Sequence, residues 1–107
     1  MSTEAAAHFR LDAADDGCLE ACGPLTFASA RAARELGLAT LCDGGRAALQ
    51  IDCRGINPSD SAGLAVLLDW LAAARQAGRG LTYRALPEDL TALARISEVE
   101  GFLEKGV

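Results

Sequence analysis

Apolar and polar residues alternate in two short stretches near the N-terminus, His8–Asp12 and Gly17–Cys22. A period of two marks half-buried strands, and Asp16-Gly17 between them is a hairpin signal. Residues 1–6 lack any such pattern and read as a loose tail. Gly23-Pro24 breaks the second stretch, and Thr26 is placed to cap a helix running to about Leu41. Gly37 weakens that helix by about 1 kcal/mol relative to alanine, and Asp43-Gly44-Gly45 ends it. Ala47–Cys53 is continuous and mostly apolar, the pattern of a central strand covered on both faces. Arg54–Ser59 carries Gly55, Asn57 and Pro58 and reads as a loop. A second helix is predicted from Ser61 to about Ala77, stopped by Gly78-Arg79-Gly80. Leu81–Leu86 is the next strand. Pro87 opens a third helix with Glu88 and Asp89 in its first turn, which Ser97 ends or caps before a last turn through Phe102-Leu103. The order β-β-α-β-α-β-α predicts one α/β domain over residues 1–107. It has a small mixed sheet, helices mainly on one side and right-handed crossovers.

The second helix is the most informative element. Placed at 100° intervals, Leu64, Leu67, Leu68 and Leu71 fall within about 100° and define a core face. The opposite face holds Ala62, Ala65, Val66, Asp69, Ala72, Ala73 and Gln76, with Trp70 at the border. A wet helix face usually carries more charge than this. Either an alanine-rich composition fills it, or it meets a partner, since small residues permit close approach at little desolvation cost. Asp60 and Ser61, at the helix start, carry two readings as well. Both suit the capping of orphan N–H groups. Ser61 also offers a hydroxyl on the rim, where a phosphate would face free N–H groups and change the surface by nearly two charges.

Composition removes whole classes. The chain has 107 residues, a formal net charge of −5 and a pI near 4.7, which argues against nucleic acid as a partner. The longest apolar run, Ala62–Leu68, is far shorter than the ~18 residues of a membrane span, so no direct membrane insertion is expected. No signal peptide is visible at the acidic N-terminus, and the cytosol with reduced cysteines is predicted. Cys18 and Cys22 share a strand face, Cys42 and Cys53 stand apart, and His8 is the single histidine. A thiol or zinc role for Cys18 and Cys22 is the competing idea from another class, but no metal site or cofactor is expected from these spacings. No catalytic set emerges either. His8 has no nucleophile partner, Asp60/Ser61 has no further base, and neither Gly44-Gly45 nor Gly78-Arg79-Gly80 is followed by Gly-Lys-Ser/Thr.

The segment Ile51-Asp52-Cys53 … Asp60-Ser61-Ala62-Gly63-Leu64 resembles the signature of STAS domains, the sulfate-transporter and anti-sigma-factor-antagonist family. Gly23-Pro24-Leu25-Thr26-Phe27 is similar to that family's Gly-x-Leu-Thr entry into its first helix. Gly63-Leu64-Ala65-Val66-Leu67-Leu68-Asp69-Trp70-Leu71 and Leu86-Pro87-Glu88-Asp89-Leu90-Thr91-Ala92-Leu93-Ala94 look like the MlaB-like branch, subunits of the bacterial phospholipid-transport ABC system. The resemblance implies a single STAS domain acting as a non-catalytic cytoplasmic subunit, peripheral to the inner membrane through its complex. It would bind the transporter's ATPase and support assembly or activity. The resemblance implies Ser61 as a contact residue, and the low-polarity face of the second helix adds Asp60, Ala62, Ala65, Val66, Asp69 and Ala73, a face that would also serve weak self-association of the isolated chain. The alternative is an anti-sigma factor antagonist switched by phosphorylation at Ser61. Many antagonists have a second Ser or Thr where this chain has Ala62, which weakens that alternative.

Overall fold

The computed structural model describes residues 8–14, 18–43, 45 and 47–107. The expected tail and the Asp16-Gly17 turn lie outside them. The described elements are β1 (Arg10–Ala13), β2 (Cys18–Leu25), α1 (Ala30–Leu41), β3 (Leu49–Ser59), α2 (Ser61–Gln76), β4 (Leu81–Arg84), α3 (Glu88–Ile96) and α4 (Glu100–Lys105). This is the predicted mixed α/β order with one more helix at its end. Glu98 takes a left-handed φ of 62°, and Val99 N–H donates to Ala94 O at 2.8 Å. That is a Schellman-type stop, so residues 100–105 form a helix of their own.

The strands lie in the order β1-β2-β3-β4. β1 runs antiparallel to β2, while β2, β3 and β4 are parallel. Both crossovers step one strand in the same direction. Right-handed connections must then put α1 and α2 on the same face of the sheet. The covered face buries Ala21, Leu25, Leu49, Ile51, Cys53, Leu81 and Tyr83. The other face carries Arg10, Asp12, Glu20, Gln50, Arg54 and Arg84. Ala47–Cys53 is therefore not apolar on both sides. The side chain of Asp52 on the open face is 11% exposed beneath the guanidinium groups of Arg54 and Arg84, at 3.7 and 3.4 Å.

The expected loop Arg54–Ser59 is strand. Cys22 pairs with Gly55 and Leu25 with Ser59, with two register shifts that insert extra residues into β3. Gly55 and Pro58 are tolerated because bulges accept such residues. In addition, β4 pairs only as far as Asp52, so one side of β3 beyond that point is an edge without ladder partners.

Three helix assignments also shift. Helix α1 starts at Ala30 rather than after Thr26. The Ser29 hydroxyl accepts from Thr26 N–H at 3.0 Å and donates to Pro24 O at 2.8 Å, holding residues 26–29 in a turn. Within α2, Val66 is 2% exposed and Trp70 fully buried. The buried stripe is wider than the leucines alone suggest, because α2 packs on both the sheet and α1. The Trp70 indole Nε1 donates to Arg34 O at 3.3 Å and its ring lies against Gly37, where any Cβ would overlap it. The glycine that weakens α1 thus admits the tryptophan. Leu68, expected in the core, is only half-buried. Opposite Leu67, the buried Tyr83 hydroxyl donates to its carbonyl at 2.7 Å and fixes α2 to β4.

Candidate functional site at the N-terminal end of helix α2

The parallel strands β2 and β3 end side by side, and α2 begins there. Asp60 is the N-cap. Its Oδ1 accepts from Ala62 N–H at 2.9 Å and Gly63 N–H at 3.1 Å. Its Oδ2 accepts from Phe27 N–H at 3.0 Å, across 33 residues of sequence. One carboxylate therefore closes the helix end and pins the β2–α1 turn to it. The bond from Phe27, with those from Gly63 and Ala62, holds the Asp60 carboxyl below the usual carboxylate range, opposed by desolvation. Gly63 completes the junction. It is buried against the Leu25 carbonyl at the end of β2, where a Cβ would collide with backbone.

This lock leaves two groups facing outward. Ser61, at the first helical position, is exposed. Phe27, at the tip of the pinned turn, is 84% exposed. A free phenyl ring on a turn held by the Ser29 and Asp60 hydrogen bonds is the strongest apolar feature of this end, and no sequence pattern announced it. Its exposure follows from Ser29 and Asp60, which fix the turn through contacts remote in sequence.

The expected contact residues divide. Ser61 and Ala65 are exposed, and Ala62 and Ala73 are half-buried on the outer side of α2. Asp69 is exposed but already paired with Arg34 of α1 at 3.0 Å. Asp60 is internally engaged through both oxygens. Val66 is 2% exposed and faces the core, not the outer face of α2 on which it was expected. The expected free N–H groups beneath a Ser61 phosphate are also corrected, since those of Ala62 and Gly63 are held by Asp60. A phosphate on Ser61 would act by changing surface charge beside a carboxylate, not by docking on the helix end.

The four cysteines differ in burial. Burial pushes the Cys53 thiol up to about 12. Cys18 and Cys22 lie half-buried and unbridged, and Cys42 is exposed at the end of α1. Among the described residues no three His, Cys, Asp or Glu side chains gather as metal ligands. Among the described residues both crossovers step the same way along the sheet.

The comparisons with known proteins agree with this architecture. A family model described as "Mlab, STAS domain" matches residues 9–104. The solved structure of the anti-sigma factor antagonist SpoIIAA in its unphosphorylated form has a similar fold. Its TM-score is 0.61 at 13% identity, covering 90% of this chain and 84% of that one. No curated protein sequence matches this chain.

Proposed function

The chain belongs to the MlaB-type STAS domain family, and from that membership we propose that it binds the ATPase subunit of an Mla-type phospholipid-transport ABC transporter and supports its assembly or activity. It works by binding and carries out no chemistry itself. The observation that carries this reading is the exposed Phe27 beside the exposed Ser61, on a helix end made rigid by Asp60. Burying such a ring is worth about 1.5–3 kcal/mol. Aromatic residues are enriched in interface cores, and a turn already fixed loses little entropy on docking. Ala62 and Ala65 extend the patch along α2 with side chains that lose no rotamer freedom. In this assembly the chain lies on the cytoplasmic side of the inner membrane, held there by the transporter. No helix among the described residues is long and apolar enough to cross a membrane.

The test is binding of the purified cognate ATPase to the immobilised chain. Ala65→Arg is expected to weaken the complex at least about tenfold with the melting temperature unchanged, because position 65 is exposed. Full binding by an Ala65→Arg, Asp69→Arg double variant would remove α2 from the interface. A second reading, an antagonist switched at Ser61, is favoured by that hydroxyl's exposure at the helix start. It predicts a phosphorylated fraction in intact-mass spectra of the chain from its native host, and a kinase partner that releases the modified form.

A further inference from the structure

A second surface lies at the other end of α2. A groove of about 570 Å³ runs between α2 and α4, lined by Leu68, Leu71, Ala72, Phe102 and Val107, with Arg75 at its rim. Phe102 is 66% and Val107 44% exposed. The wall carrying Phe102 is firmly held. Leu103 is 1% exposed, and Val107 exchanges two backbone hydrogen bonds with Leu81, at 2.9 and 3.1 Å. The phenyl ring is therefore displayed by an ordered element.

Charge gives the groove a sign. Among the described residues Arg10, Arg31, Arg34, Arg54, Arg79, Arg84 and Arg95 are all in ion pairs. Arg75 and Lys105 are not. Arg75 lines the groove, and Lys105 lies three residues from Phe102 on α4, on the same side of that helix. A position in the last turn of α2 suits Arg75 electrostatically, but that favours any basic residue there and leaves the apolar surroundings unexplained. In a chain of net charge −5, one of the two described Arg/Lys side chains left without a carboxylate, Arg75, lines this apolar groove, and the other, Lys105, stands one helical turn from its Phe102 wall. The walls are themselves wet, so a lone acyl chain would stay half in water. A helix needs only one face covered, and the stretch of α2 from Leu68 to Gln76 is about 12 Å long, roughly two helical turns.

We propose that this groove docks an acidic amphipathic helix of a partner protein, its apolar face on Phe102 and Leu68 and its carboxylates toward Arg75 and Lys105. Arg75 is 14 residues along α2 from Ser61, about 21 Å, so both surfaces can be occupied at once. The inference stands whether or not the Ser61 end binds the transporter ATPase.

The probe is a synthetic amidated helix of about sixteen residues, with leucines at every third and fourth position and glutamates on the other face. A lysine-for-glutamate version is the control. Titration into the isotope-labelled full chain, followed by amide chemical shifts, is expected to move Leu68, Ala72, Gln76 and Phe102 with the acidic helix only. Phe102→Ala, and separately Arg75→Glu with Lys105→Glu, should each weaken binding at least about tenfold at unchanged melting temperature. The proposal is overturned by no shifts, by equal binding of the lysine helix, by shifts centred on Phe27, or by variants that bind as the native chain does. It is equally overturned if laurate moves these amides and the acidic helix does not, or if they move on concentrating the chain alone, which would assign the groove to a small amphiphile or to a second copy.

Discussion

Helix α2 is tied down at both ends by a single charged side chain, and the two ties differ in what they leave outside. At the N-terminal end the Asp60 carboxylate accepts from Phe27, Ala62 and Gly63. Just past the C-terminal end, Arg79 donates to Ala47 O at 2.8 Å, to Thr40 O at 3.2 Å and to Asp43 at 2.9 Å. Each suits its end of the helix, acceptor where N–H groups are orphaned and donor near the carbonyls. Arg79 is 7% exposed and its Nε and Nη1 fasten the α1–β3 connection. Asp60 fastens a turn whose Phe27 ring remains in solvent. The same device closes a connection on itself at one end and leaves an aromatic ring in solvent at the other.

That contrast breaks most visibly at Arg79. Arg79→Met keeps the length but leaves the Ala47 and Thr40 carbonyls, at the half-buried α1–β3 connection, without their donor. Urea unfolding should show a loss of about 2–4 kcal/mol, while ATPase affinity of the still-folded chain stays within about twofold. A loss below about 1 kcal/mol would show that Arg79 is no structural tie. Phe27→Ala tests the other end with the opposite signature. Partner affinity should fall roughly thirtyfold, about 2 kcal/mol, with stability changed by less than about 0.5 kcal/mol. Loss of stability without loss of affinity would make the ring part of the core's support instead.

Both ends contrast in how far they could be read from sequence. Asp60 and Ser61 were legible because helix starts use local chemistry, a cap and an exposed first residue, whereas the fit of Gly63 against the Leu25 carbonyl depends on the neighbouring strand. The alternation in β1 and β2 was legible for the same local reason. Arg54–Ser59 was not, since Gly55 and Pro58 are breakers by local rule, and only the pairing with β2 and the absence of β4 beyond Asp52 make them strand residues. Val66 and Trp70 were misplaced because the leucines define a stripe too narrow for a helix packed against both sheet and helix. Gly37, which makes room for the indole, acts across 33 residues. Phe27 and Arg79 were invisible as special residues. The exposure of one and the burial of the other are fixed by partners distant in sequence. The α2–α4 groove required a break at Glu98, a left-handed residue that is not glycine.

The smallest expected effect sharpens the comparison through pH. The Asp60 carboxyl lies below its ordinary value in the folded chain, so the charged form is the one folding favours. Its stabilisation is present above the unfolded value near 4 and is lost as pH falls through the lowered folded value. Asp43 and Asp52 are shifted in the same direction, so the native chain should lose melting temperature steadily on acidification below about pH 4. Asp60→Asn keeps one acceptor oxygen where the carboxylate used two, so either Phe27 or the helix N–H pair is released. At pH 7 the melting temperature should drop by about 3–6 °C, and the gap should narrow as pH falls below about 4, closing only once pH is below the lowered folded value, where Asp60 is protonated in the folded chain too. If the offset persists unchanged at low pH, the geometry of the carboxylate matters and its charge does not. If Asp60→Asn also lowers partner affinity while Phe27→Ala does, the pinned turn is what the partner reads, and Asp60 reaches the interface only by holding Phe27 in place.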